Sequence, residues 1–207
     1  MPMHTRRSVL GFVAASFVAP AVLSTEPASA SGTLTFGQYA DQWTMINQAQ
    51  PSTSYWAYDR DRAKVGLEYG STPVWRSVFR IDVAQLAGAL IDDAAFAITL
   101  DHTPTGSPTP VDLWTTEAID PGSPVTWDNF AGSWLSRVGT AFGSAWTAGG
   151  QPDQELRFSG LAAVVQRTVD KQERYVTLGL RAPEETSKTQ WKKFYAETAR
   201  LVVTYQR

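Results

Sequence analysis

From Trp75 to Val83 the residues alternate between a mainly apolar side and a mainly polar one. Trp75, Ser77, Phe79, Ile81 and Val83 fall on one side, and Arg76, Val78, Arg80 and Asp82 on the other. A period of two built from aromatic and β-branched residues predicts a half-buried strand. A second run follows, with Phe96, Ile98 and Leu100 on one face and Ala95, Ala97 and Thr99 on the opposite one. Residues 82–88 between them predict one tight helical turn. Asp82 would cap it, Gln85 would reach back as in a capping box, and Gly88 would stop it. The stretch reads as strand, turn, strand: a two-faced sheet whose apolar side needs a partner layer.

The same reading along the chain predicts strands at 42–46, 63–67, 75–82, 94–100, 111–115, 125–127, 155–158, 175–181 and 200–205. Turn signals separate them, among them Asp59-Arg60-Asp61, Gly70-Ser71-Thr72-Pro73 and Asp120-Pro121-Gly122. Many short strands at this spacing predict an all-β sandwich or barrel. One segment breaks the pattern. Leu161, Val164, Val165, Thr168 and Val169 recur at helical spacing within 161–172, predicting an amphipathic helix that closes one open end. Residues 131–154, rich in Gly, Ser and Ala around Trp134, Phe142 and Trp146, read as a long surface loop.

The first thirty residues read differently. Thr5-Arg6-Arg7-Ser8-Val9-Leu10 has the form of a twin-arginine export motif, an apolar run extends to Leu23, and Ala28-Ser29-Ala30 suits a signal peptidase. The run is shorter than the ~20 residues a spanning helix needs, and Pro20 breaks it. The expectation is a signal peptide over 1–30, cleaved after Ala30, and one domain over 31–207. The product would be a secreted, extracellular protein with no membrane association after cleavage.

Composition narrows the chemistry. With no cysteine, and His102 the one histidine beyond the leader, thiol catalysis, disulfide frameworks and the usual zinc clusters are excluded. The formal net charge is -2, without a basic patch, so no nucleic-acid partner is expected.

As a set, these segments resemble the DNRLRE domains. The resemblance rests on Trp75-Arg76-Ser77-Val78-Phe79-Arg80-Ile81-Asp82, then Leu86-Ala87-Gly88 and 91–100. A second block is Val111-Asp112-Leu113-Trp114 with Pro124-Val125-Thr126-Trp127-Asp128-Asn129. The third is Leu178-Gly179-Leu180, with Lys192-Lys193-Phe194 ahead of Ala199-Arg200-Leu201-Val202-Val203-Thr204-Tyr205. It covers nearly all of 41–205 and is similar in detail to versions on large exported actinobacterial proteins; Ile81 stands where phenylalanine is common. The resemblance implies a jelly-roll β-sandwich, here with one short amphipathic helix. It implies no enzymatic activity, and some members bind acidic polysaccharide such as alginate.

Candidate chemistry follows from the strand faces. Carboxylates are many, among them Asp92, Asp93, Asp101, Asp112, Asp128, Asp153, Glu184, Glu185 and Glu197, but no spacing singles out a glycosidase pair. Asp101-His102 reads as a strand end more than as an acid–base dyad. No cofactor is expected. Asp59-Arg60-Asp61 and Asp128-Asn129 leave a structural calcium open, although the spacing favours turn-forming pairs that bond their own backbone. Trp43, Trp56, Trp75, Trp127 and Trp191 are assigned to the core. If the strands are neighbours in one sheet, Arg76 and Arg80 share an outer face with Asp112, Trp114, Tyr175, Thr177 and Arg181, over a trough left by the small residues of the second run. That groove would take a polysaccharide or cell-surface glycan through Arg76, Arg80, Trp114, Tyr175 and Arg181, preferring acidic sugars because guanidinium groups bond carboxylates strongly. The competing readings are a structural or adhesive module with a protein partner, and a small polysaccharide hydrolase or lyase.

Overall fold

The computed structural model describes residues 30–37, 41–56, 62–70 and 72–207. Within them the protein is all-β, a sandwich of antiparallel strands. One layer contains β1 (Ser31–Gly37), β10 (Lys192–Gln206), β5 (Leu90–His102) and β8 (Gln154–Phe158), hydrogen-bonded in that order. The other contains β2 (Trp43–Asn47), β4 (Val74–Asp82), β9 (Tyr175–Arg181), β6 (Thr109–Thr116) and β7 (Trp134–Gly143). Strand β3 (Arg62–Leu67) pairs with β10 along most of its length and with β4 at Gly66 and Leu67. It thus stitches the two layers into one continuous ten-stranded sheet folded over on itself.

The alternation read from Trp75 to Val83 acts as expected on its apolar side. Trp75, Phe79 and Ile81 from β4 meet Phe96, Ile98 and Leu100 from β5 in the main core, with Val176, Leu178, Leu180, Phe158 and Leu201 around them. Phe79 links the layers, stacking on Trp43 at 6.2 Å and lying 5.7 Å from Phe96, which in turn is 6.2 Å from Phe158. Each fully buried phenylalanine contributes about 1.5–3 kcal/mol of hydrophobic stabilisation. Trp43, Trp75 and Trp191 are core residues, whereas Trp56 and Trp127 lie partly buried on the opposite side of β4.

Strands β4 and β5 nevertheless do not form a ribbon. The connection between them crosses from one layer to the other, so the two runs face each other across the core. A 3-10 turn at Ala84–Leu86 makes the crossing; the Ala84 N–H donates to Asp82 Oδ1 at 3.0 Å, and Gly88 follows with φ 74°. Ala95 and Ala97 are therefore not beside Arg76 and Arg80, and the trough expected from them does not exist.

The expected helix is α2 (Ala162–Asp170), which buries Val165, Thr168 and Val169. It ends where Gln172 takes the left-handed conformation, φ 57°, so that the Glu173 N–H reaches the Thr168 carbonyl at 3.0 Å. Gln166 ties the helix to the start of β5, accepting from the Ile91 N–H at 2.8 Å and donating to the Ala89 carbonyl at 3.4 Å.

Three elements depart from the sequence reading, the first being β1, where no strand was expected. Residues 125–127 are not a strand: Thr126 and Asn129 form a capping box that opens the one-turn helix α1 (Trp127–Phe130). The expected loop at 131–154 contains the ten-residue strand β7 and the first residue of β8. Among the described residues no helix is long and apolar enough to cross a membrane.

One core position is chemically unusual. Lys192 shares the inward parity of Phe194, is 0% exposed, and donates to the Thr109 hydroxyl. Burial pushes its ammonium group down from 10.5 to about 7.

Candidate functional site

Arg76, Arg80, Trp114, Tyr175 and Arg181 all lie on one layer. Strand β9 pairs with β4 on one side, setting Thr177 opposite Arg80 and Tyr175 opposite Asp82, and with β6 on the other, setting Gly179 opposite Trp114. The five residues nevertheless fall into two groups, because residues 117–134 fold back over part of the outer face. Ile119, Val125 and Phe130 of that segment bury Ile46 of β2 and Val78 of β4 in a second, smaller core. Backbone and indole bonds hold the cover down: Asp128 N–H to the Pro51 carbonyl at 2.9 Å, and Trp56 Nε1 to the Ser123 carbonyl at 2.8 Å.

Under the cover lie Arg76, Arg181 and Trp114. The sequence reading turned Arg76 outward into a reachable hollow; the fold buries it to 7% exposure. Its guanidinium donates to Glu185 Oε1 and Oε2 at 2.6 and 2.8 Å and to the Ala131 carbonyl at 2.9 Å, and sits 4.5 Å from the Trp127 ring centre. Arg181 reaches the same carboxylate at 3.6 Å and lies 5.3 Å from the Trp114 ring and 5.8 Å from that of Trp134. Burial, then repulsion from Arg76, lowers its affinity for the proton. Gly179 is required here, since a Cβ would come within 2.5 Å of Trp134. The buried Nε1 atoms of Trp114 and Trp134 find no acceptor among the described residues. Asp112, expected outward, is buried beneath Thr140 and Arg137.

At the other end of the same strands the face is open. Arg80 stacks on the Tyr175 ring at 3.6 Å and pairs with Asp120 at 3.3 Å. Arg174, whose side chain is 64% exposed, donates to Asp82 from Nε at 2.8 Å and from Nη2 at 2.7 Å. Burial pushes the Asp82 carboxyl up, but the bonds from Arg174 and the Ala84 N–H outweigh it and hold the group below its ordinary value. Asp41, Gln42, Asp82, Arg174 and Tyr175 surround a hollow of about 340 Å3. The buried side-chain oxygen of Gln42 has no donor among the described residues.

Compared with protein-family models and with curated proteins, the sequence matches none.

Several candidates change meaning in this frame. Arg76, Arg80 and Arg181, the three arginines assigned to the groove, each have a carboxylate in contact, so the basis for preferring acidic sugars is lost. Asp101 bonds Arg62 at 2.6 Å, and the His102 imidazole is held below its ordinary pKa by burial and by Lys193. Asn129 bonds Thr126 and the Pro124 carbonyl, the turn role expected of it, while Asp59, Arg60 and Asp61 lie outside the described residues. Among the described residues, no three His, Cys, Asp or Glu side chains gather to hold a metal. Sequence reasoning missed Gln42, Arg174 and the pairing role of Glu185. Glu184 and Glu185 were two carboxylates among many, Gln42 stood only as the first residue of an expected strand, and Arg174 carried no motif signal.

Proposed function

We propose that the protein is an exported, non-catalytic β-sandwich module of the DNRLRE type that binds a polysaccharide or cell-surface glycan at the open end of its β4–β9 face. The carrying observation is the hollow in which Tyr175, Arg174, Asp82, Asp41 and Gln42 converge. An aromatic ring, a few fixed polar groups and a concave surface are the makings of a sugar subsite. Because Arg80 and Arg174 are already matched by Asp120 and Asp82, the site suits hydroxyl-rich sugars without acidic groups. The DNRLRE reading is supported by the β4 and β9 blocks of the resemblance, which are hydrogen-bonded neighbours that build both ends of the face. Export is supported by the leader pattern and by β1 starting at Ser31, next to the expected cleavage point.

Calorimetric titration with neutral glucans, alginate and pectate tests this. A neutral glucan is expected to bind, and Tyr175→Ala to abolish that binding; indifference to all three would overturn the proposal. The adhesive alternative draws on β7, where Leu135 and Phe142 are exposed. It predicts capture of a protein partner that a Leu135→Asp, Phe142→Asp variant loses.

A further inference from the structure

The hollow at Tyr175 is one of three that meet at a single side chain. A second, of about 340 Å3, lies against Thr35, Phe36, Asp82, Ala84, Gln85 and Arg174. A third, about 580 Å3, opens between the β4–β5 connection and the end of α2, against Ala87, Leu90, Val169, Asp170, Glu173 and Arg174. Arg174 lines all three, Asp82 is shared by the first two, and Ala84 by the last two. The hollows therefore follow one another along one end of the sandwich. From this continuity we infer that they form a single extended cleft that holds a run of several sugar units, with the Tyr175 hollow at one end and the Leu90 hollow at the other. The inference rests on the glycan reading above and extends it to the length and charge of the ligand.

The walls of the large hollow are braced. The Val83 N–H donates to the Arg174 carbonyl at 2.9 Å, and Gln166 bonds both Ala89 and Ile91. A cleft built this way costs little to organise on binding. Ala87, Leu90 and Val169 offer small aliphatic surface for sugar C–H groups, and Leu90 is 66% exposed at the rim. Around the cleft stand Asp41, Asp82, Asp170 and Glu173 against Arg174, which Asp82 already holds. Lys171 pairs with Glu173 at 3.7 Å, Arg80 stands on Tyr175 beside Asp82, and Arg207 bonds the Gln85 carbonyl, so the charges around the cleft are balanced and it suits neutral chains over uronate ones.

The test is a ladder of neutral oligosaccharides of increasing length, titrated against the purified protein and against Ala87→Trp, a change at an exposed position that fills the large hollow. Affinity is expected to climb by at least about tenfold from the shortest to the longest member, and Ala87→Trp to remove that gain. Should Ala87→Trp fail to fold, Leu90→Asp at the rim serves the same purpose. Short sugars that bind with no gain in length would overturn the extended cleft while leaving the Tyr175 subsite standing. Equal affinity for a uronate ladder would overturn the charge argument. Failure of every length to bind would remove the glycan reading, and the cleft with it.

Discussion

Arg76 and Arg80 sit four residues apart on the same face of β4, about 13 Å along the strand, and they lead different lives. Arg76 lies under residues 117–134, locked two-pronged to Glu185 between tryptophans. Arg80 lies where that cover ends, and its partner Asp120 belongs to the cover's exposed margin. The same ingredients, an arginine, an aromatic ring and a carboxylate, make a structural clamp at one end and a surface with a hollow beside it at the other. The difference is solvent. Once water is excluded, a charge demands a fixed partner, and that partner occupies the group a ligand would need.

The sharpest way to break this comparison is Glu185→Gln. It leaves the Arg76 charge buried without its carboxylate, and a loss of about 3–5 kcal/mol is expected in urea unfolding. A loss below about 1 kcal/mol would place Arg76 in the same class as a surface pair.

A second buried cation, Lys192, sharpens the point by having no carboxylate partner among the described residues. In the unfolded chain Lys192 keeps its proton up to its ordinary value of 10.5, while in the fold it releases it near 7. Between those values the unfolded chain carries the extra proton, so stability rises with pH by about 1.4 kcal/mol per unit. Below 7 both states hold this proton, and the contribution of Lys192 is at its lowest and flat. Unfolding measured from pH 7 to 9 is expected to show this slope in the protein and to lose it in Lys192→Met. That variant is expected to be no less stable near neutrality, opposite in sign to Glu185→Gln.

The smallest effect belongs to the open end. Asp120→Asn removes a partner whose side chain is 71% exposed, and the expected cost is at most about 1 kcal/mol by the same unfolding assay. A larger cost would show that the cover depends on this contact and that the two ends are not independent.

Much of the fold was legible in the residues. Strand β9 runs from Tyr175 to Arg181 as its alternation predicts, and the 3.6-residue period of Leu161 to Val169 yields α2 within a residue or two of its expected ends. The misses have particular causes. Strand β7 pairs with β6 and is exposed along much of its length, so Leu135, Arg137 and Phe142 carry no buried face to print a period-two signal. The segment Val125-Thr126-Trp127 resembled a strand because local propensity outvoted the Thr126 and Asn129 cap.

Local pattern alone thus determined most strands around the main core, their core-facing sides, and the one amphipathic helix, because burial periodicity is written into each of those segments separately. Only the tertiary structure decided that β4 and β5 belong to opposite layers, that Glu185 meets Arg76 across more than a hundred residues of chain, and which of two arginines four positions apart is covered. Those outcomes depend on how distant segments cross, and no single segment carries that information.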